Sequence, residues 1–135
     1  MLKRLLSAEE FWGDLGKLAL RIVFAGTMLF VHGIPKLQAW SEKAETFPDP
    51  LGVGNKVSYA LVIFAEAFAA GLVLLGGLTR LALVPLIFNM GVAFFVIHGP
   101  DPFAVKELAF LYLAAYTALF FVGPGRVSLD ALMNR

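Results

Sequence analysis

The sequence predicts an all-α fold, a four-helix transmembrane bundle with both termini on the cytoplasmic side. Three observations predict it. The chain has 135 residues, of which 59% are apolar and only 16% charged, with a mean hydropathy of +0.79; a soluble domain of this length carries a larger share of charge on its surface. The apolar residues gather into four runs, each close to the roughly 20 residues a helix needs to cross a hydrocarbon layer. The charges fall mostly between those runs, where water and headgroups solvate them. The length fits one domain, residues 1–135, and no internal repeat or low-complexity tract interrupts it.

The elements follow in order. Ser7 and Glu10 form an S-x-x-E capping box that starts a short helix leading into the first span, residues 15–34. Phe11 and Trp12 suit the interfacial belt. Lys3 and Arg4 resemble the start of a signal peptide, but Glu9, Glu10 and Asp14 precede the apolar run and Arg21 interrupts it, so the run reads as a retained span. His32-Gly33-Ile34-Pro35-Lys36 is expected to end or bend that span, because proline lacks the amide the helix needs. Residues 37–54 form the long connection, with Trp40, Phe47, Pro48 and Pro50 suggesting a short interfacial helix and then an extended turn. Asn55 is the expected N-cap of the second span, residues 57–75, which Gly76-Gly77 stops. Only Leu78-Thr79-Arg80 separates it from the third, residues 81–97, so the two form an antiparallel hairpin, with Pro85 expected to kink the latter. His98-Gly99-Pro100 closes the third span. Asp101 as N-cap and Pro102 as first helical residue open the fourth, residues 103–122, and Gly123-Pro124-Gly125 ends it.

Charge sets the orientation. Lys3, Arg4, Lys17, Arg21, Arg80, Arg126 and Arg135 lie on one side, and Lys36, Lys43, Lys56 and Lys106 on the other; seven against four places the termini in the cytoplasm. The net charge of +1 gives no attraction to nucleic acid, and none is expected as a partner. The expected partners are the lipid bilayer and another membrane or membrane-associated protein. The chain has no cysteine, which excludes disulfides, thiol redox chemistry, cysteine-ligated iron–sulfur clusters and covalent CxxCH haem attachment by this chain.

Ionisable groups inside spans are costly and mark function by default. Glu66 lies about 14 Å along its helix from the start of the second span, near mid-bilayer. Small residues at helical spacing, Ala69 and Ala70, turn it toward the bundle interior, where a carboxylate is either neutral or paired. Arg21, Ala25, Met28, His32 and Lys36 form one stripe on the first span. Glu107 shares a face of the fourth span with Leu111, Ala114 and Ala118, beside Lys106, while the third contributes Asn89 and His98. By depth, His32, Lys36, His98, Lys106 and Glu107 share the outer half with Glu66 as a floor, and Arg21 approaches from the other half. These seven residues and Asn89 are the candidates for a ligand or proton site; no catalytic residue is assigned. Plainer roles stand beside each. Lys36, Lys106 and Arg21 can reach headgroups, Glu107 can complement a helix dipole, Asn89 can join two helices, and the histidines can be interfacial.

Several chemistries are not expected. Glu66 and Glu107 are followed three residues on by Ala69 and Phe110, not histidine, so a di-iron bundle is excluded and no metal site is expected. No HExxH, P-loop or GxGxxG occurs. A b-type haem between His32 and His98 has only the pair itself in its favour.

At these residues the sequence resembles the DoxX family of small four-helix membrane proteins. The resemblance rests on Arg21, the run His32 to Lys36, Ala65-Glu66, Gly76 to Arg80, Lys106-Glu107-Leu108-Ala109 and, most specifically, Gly123-Pro124-Gly125-Arg126-Val127-Ser128-Leu129-Asp130, similar to a GPGRxSLD ending. It covers nearly the whole chain and implies a multi-pass protein of the bacterial inner membrane. Members are associated with membrane redox systems, including a quinone-linked thiosulfate oxidoreductase subunit related to DoxD, and with complexes that handle oxidative stress; distant animal relatives assist receptor assembly. No residue here supports thiosulfate chemistry. The favoured function is a redox-linked membrane subunit that interacts with a quinone; Phe64, Phe68, Phe94 and Phe110 offer apolar walls for it but are read first as packing or lipid-facing residues. The alternatives are a non-enzymatic assembly subunit and a small-solute or proton pathway.

Overall fold

The computed structural model describes residues 10–134 together with Leu2 and Leu6. Ser7, and with it the expected capping box, lies outside these residues, as do Lys3, Arg4 and Arg135 of the charge comparison. Four helices are long and apolar enough to cross a membrane: α1 (Trp12–Gln38), α3 (Asn55–Leu75), α4 (Thr79–Ile97) and α5 (Phe103–Val122). Two short helices, α2 (Trp40–Lys43) and α6 (Leu129–Met133), flank them, and no strand occurs among the described residues. Four crossings bring the chain back to the face it started from. The Arg126 amide accordingly donates to Asp14 at 3.1 Å, joining the end of the chain to its beginning. We call this the termini face and the opposite one, carrying residues 37–54 and 98–102, the loop face.

Small side chains let the helices approach. Ala25, Ala65, Ala69, Ala70 and Ala82 are buried with Met28, Val73, Leu83, Leu86, Tyr116 and Leu119 in one core, while Phe30, Phe68, Phe88 and Phe95 point outward to the bilayer. Without a hydrophobic drive between helices in lipid, close packing and polar contacts hold the bundle together.

Three local expectations are corrected. The first span does not end at Pro35; α1 continues through it to Gln38. A wide π-type turn over Met28–Gly33 precedes the proline, the kind of local adjustment by which membrane helices tolerate a missing amide. Asn55 does not cap α3. Gly54 holds the N-cap position with φ +105°, and Asp49 from the loop accepts from the amides of Val53 and Gly54 and from the Ser58 hydroxyl. The Asn55 amide instead donates to the Glu45 carbonyl. Asp101 does not cap α5 either: Pro102 is the N-cap, and the Asp101 carboxylate faces His98. Both Asx residues lie at helix starts in sequence, but a competing partner takes each side chain. Pro85 lies within α4, which runs on past it.

The termini face is tied by three side chains. Arg21, only 2% exposed, donates to the carbonyls of Val73 and Leu74 at the end of α3 and of Pro124 and Val127 in the last loop, at 3.0, 2.9, 3.0 and 2.6 Å. Asp130 accepts from the Leu78 and Thr79 amides at 2.7 and 2.9 Å, capping α4 from the far end of the chain. Burial opposes its ionisation, but the hydrogen bonds from Thr79 and Leu78 and the nearby Arg21 charge outweigh this and hold its carboxyl below the usual range. Arg80 donates to the Phe120 carbonyl at 2.9 Å, at the end of α5. Gly76, at φ +71°, is required twice over, since a Cβ there would also lie 2.4 Å from that of Ser128.

Candidate functional site

Glu66 sits midway along α3 and is 5% exposed. One carboxylate oxygen, Oε2, accepts from the Lys36 ammonium of α1; the other, Oε1, accepts from the Asn89 amide of α4 at 3.1 Å. An isolated charge at this depth costs several kcal/mol, which an ion pair with further hydrogen bonds offsets. Lys36 is positioned in turn by Tyr59, whose hydroxyl donates to the Lys36 carbonyl at 2.7 Å. Trp40 stacks on the Tyr59 ring at 5.5 Å and Phe47 lies against it at 4.7 Å, so the loop roofs this junction.

Backbone geometry brings these groups together. A Cβ on Gly33 would stand 2.2 Å from the Glu66 carbonyl oxygen, so only glycine lets α1 and α3 touch here. The touching segments, Met28–Gly33 and Phe64–Ala69, both wind as wide π-type turns, as does Ala93–Ile97 just before His98. Such turns are frequent at functional sites in helices, where they reset the direction of the side chains.

Beside Glu66 is a cavity of about 240 Å³ lined by His32, His98, Tyr112, Met28, Met90 and Ala93, with Val105, Leu108 and Ala109 of α5. The His32 and Tyr112 rings meet edge to face at 6.0 Å. Neither side chain makes a hydrogen bond among the described residues, which leaves both free to bind a ligand. His98 Nδ1 lies 2.9 Å from the Asp101 carboxylate. The arrangement can hold a small polar ring in an apolar slot, hydrogen-bond its oxygens and exchange protons with it.

Of the residues singled out from sequence, Glu66, Lys36 and Asn89 meet directly, and His32 and His98 share the cavity with Glu66. Lys106 and Glu107 do not join them. On α5 the cavity-facing positions are 105, 108, 109 and 112, so the helix turns 106 and 107 aside. Lys106 donates to the Gly99 carbonyl at 3.2 Å and lies 4.6 Å from the Phe94 ring, and Glu107 is exposed. Arg21 belongs to the termini face. The four phenylalanines are not cavity walls: Phe64 and Phe68 border an outward groove between α3 and α4, and Phe94 packs on Phe110 at 5.9 Å. Tyr112 and Asp101 were not read as site residues. A tyrosine hydroxyl within a span was the available signal for the first; nothing in the sequence separates the second from a helix cap.

Residues 16–99 match the family model of DoxX. The matched segment contains Arg21, His32, Lys36, Glu66, Asn89 and His98. No curated protein and no solved structure matches the chain.

Proposed function

The chain belongs to the DoxX family of small membrane proteins, and from that premise we propose that it is a redox-linked membrane subunit whose cavity receives the head of a quinone. The observation that carries the reading is the buried Glu66 carboxylate, held by Lys36 and Asn89, in the wall of a cavity that also presents His32 and Tyr112. The cavity's roughly 240 Å³ falls below the range of about 300–1,000 Å³ for drug-sized ligands. It suits one substituted ring and is too small for a haem. Val105 and Leu108, both exposed, border it, so an apolar tail leaves between them into lipid.

A bound quinone supplies the capacity to carry electrons together with protons. This chain's residues do the rest. Met28, Met90 and Ala93 exclude water from the ring, His32 and the Tyr112 hydroxyl hydrogen-bond its oxygens, and Glu66 holds or releases a proton while Lys36 balances its charge. Electrons pass to or from another membrane or membrane-associated protein, since the chain has no cysteine to carry them. The setting is the bacterial inner membrane, with the termini face toward the cytoplasm.

A second reading, an assembly subunit, is favoured by the apolar groove of about 530 Å³ between α3 and α4, bordered by Phe64, Phe68 and Phe88. One experiment separates the two. After gentle detergent extraction, mass spectrometry should find quinone retained by the wild-type chain. Glu66→Gln and His32→Ala should each lower retention about tenfold at unchanged folded yield, the worth of one hydrogen bond of about 1.4 kcal/mol. Wild-type protein without quinone, or loss of folded protein in step with ligand, counts against the quinone reading and favours the assembly one.

A further inference from the structure

The two ends of the cavity are built differently. Toward the termini face, Met28, Tyr112 and Tyr116 lie across the bundle axis, and beyond them Ala25, Leu83 and Leu119 are wholly buried. The Tyr116 hydroxyl is spent on the Phe24 carbonyl at 3.2 Å. From Glu66 to the end of α3 is about 13 Å of such packing, closed by Arg21 and its carbonyls. The Thr117 hydroxyl of that stretch is likewise spent, on the Leu113 carbonyl of its own helix at 2.7 Å. Toward the loop face the cavity meets His98, whose side chain is 39% exposed, and its partner Asp101 at 41%. His98 thus touches both the cavity and the loop-face surface.

We propose that the cavity exchanges protons with the loop face of the membrane alone, and that the His98–Asp101 pair is the inlet. This rests on the cavity reading above but needs no bound quinone. An imidazole accepts a proton at one nitrogen and releases one from the other. Nδ1 is held by Asp101, so Nε2 serves the cavity side. One proton leaves bulk water, passes through the imidazole and ends on the Glu66 carboxylate, which becomes a neutral acid and leaves the Lys36 ammonium uncompensated. The charged and titratable groups around the route are Asp101 beside His98, Lys106 of α5 bonded to the neighbouring Gly99 carbonyl, Tyr112 of α5, His32 and Lys36 of α1, and Glu66 of α3. Asp101 and Glu66 draw the proton inward.

The absence of cysteine makes the route testable, because any introduced thiol is unique. In quinone-free vesicles of known orientation, Ala109→Cys should react with a membrane-impermeant charged methanethiosulfonate added on the loop face and not on the termini face. Ala70→Cys, in the packed half, should react from neither. A pH jump on the loop side should then raise the protonated-carboxyl infrared band that Glu66→Gln removes. His98→Ala should slow that rise tenfold or more without changing its final size, and imidazole added on the loop side should restore the rate. Asp101→Asn should slow it less. Thiol labelling from the termini face, a band that rises equally fast from either side, or a His98→Ala rate equal to wild type would each overturn the proposal. A slowed rate that imidazole fails to restore assigns His98 a packing role and overturns it too.

Discussion

Two regions of this bundle bury an ion, and they bury it in opposite ways. Arg21 at the termini face gives four hydrogen bonds to backbone carbonyls, out of the five N–H groups a guanidinium has. Its hydrogen-bond partners are backbone, and its bonds stitch α1 to α3 and to the last loop. Glu66 in the loop-face half accepts from two donors among the described residues, although a carboxylate has about four lone-pair sites. Its remaining side faces a cavity. A buried charge saturated by backbone is part of the scaffold, and one left with spare capacity beside empty space is poised for a ligand. Ionisability inside a membrane span marks both equally; what surrounds the charge separates them.

The contrast breaks most readily at Arg21. Arg21→Leu takes the donor from the buried Val73 bond and from the part-buried bonds to Leu74, Pro124 and Val127, and unfastens the last loop, at a cost of about 3–5 kcal/mol. Since whole domains are stable by only about 5–15 kcal/mol, we expect folded yield and melting temperature to collapse; a fully stable Arg21→Leu protein would show that the loop holds by other contacts. Next comes Gly33→Ala. The added methyl meets the Glu66 backbone and must spread α1 from α3, for about 2–3 kcal/mol. Its signature is specific: the Lys36–Glu66 pair should open, which isotope-edited infrared of the carboxylate would detect. The smallest effect concerns acid. The Asp130 carboxyl is held below its usual range, as is that of Asp49, through hydrogen bonds from the Ser58 hydroxyl and the Gly54 amide. A carboxyl with a folded pKa below its unfolded value of about 3.9 stabilises the fold above that value. That stabilisation disappears as pH falls through the folded pKa. Asp130→Asn should therefore cost about 1 kcal/mol at neutral pH, as a lost cap does, and flatten the acid limb of a melting-temperature profile. An unchanged acid limb would remove Asp130 from the cap.

The spans and the inward stripe of α1 were legible because apolar runs and helical spacing are local properties. Glu66, Lys36, His32, Asn89 and His98 were legible as candidates for the same reason: few polar groups fall inside the runs. Depth along a helix is readable in sequence, but rotation about its axis is set by neighbours. That is why Lys106 and Glu107 were grouped with Glu66 and prove to point elsewhere. Asn55 and Asp101 look like caps until Glu45 and His98 compete for them. The π-type turns have no sequence signature, and without that over Met28–Gly33 the helix was expected to end or bend near Pro35. Arg21 was read as a site residue because its acceptors at Pro124 and Val127 lie more than 100 residues away and meet it only in the fold.

The division between scaffold and site is tested most directly by measuring, in one preparation, melting temperature and quinone retained per folded molecule for Glu66→Gln and Arg21→Lys. Glu66→Gln keeps the shape and one hydrogen bond, and the Lys36 side chain, 28% exposed, can turn its ammonium to water, so the variant should melt near wild type and lose about tenfold in retention. Lysine keeps the charge at position 21 but has three donors and no planar fork, so Arg21→Lys should melt several degrees lower and retain quinone at the wild-type level per folded molecule. If retention falls equally in both variants, or Glu66→Gln loses stability while keeping its ligand, the carboxylate is scaffold like the guanidinium and the distinction fails.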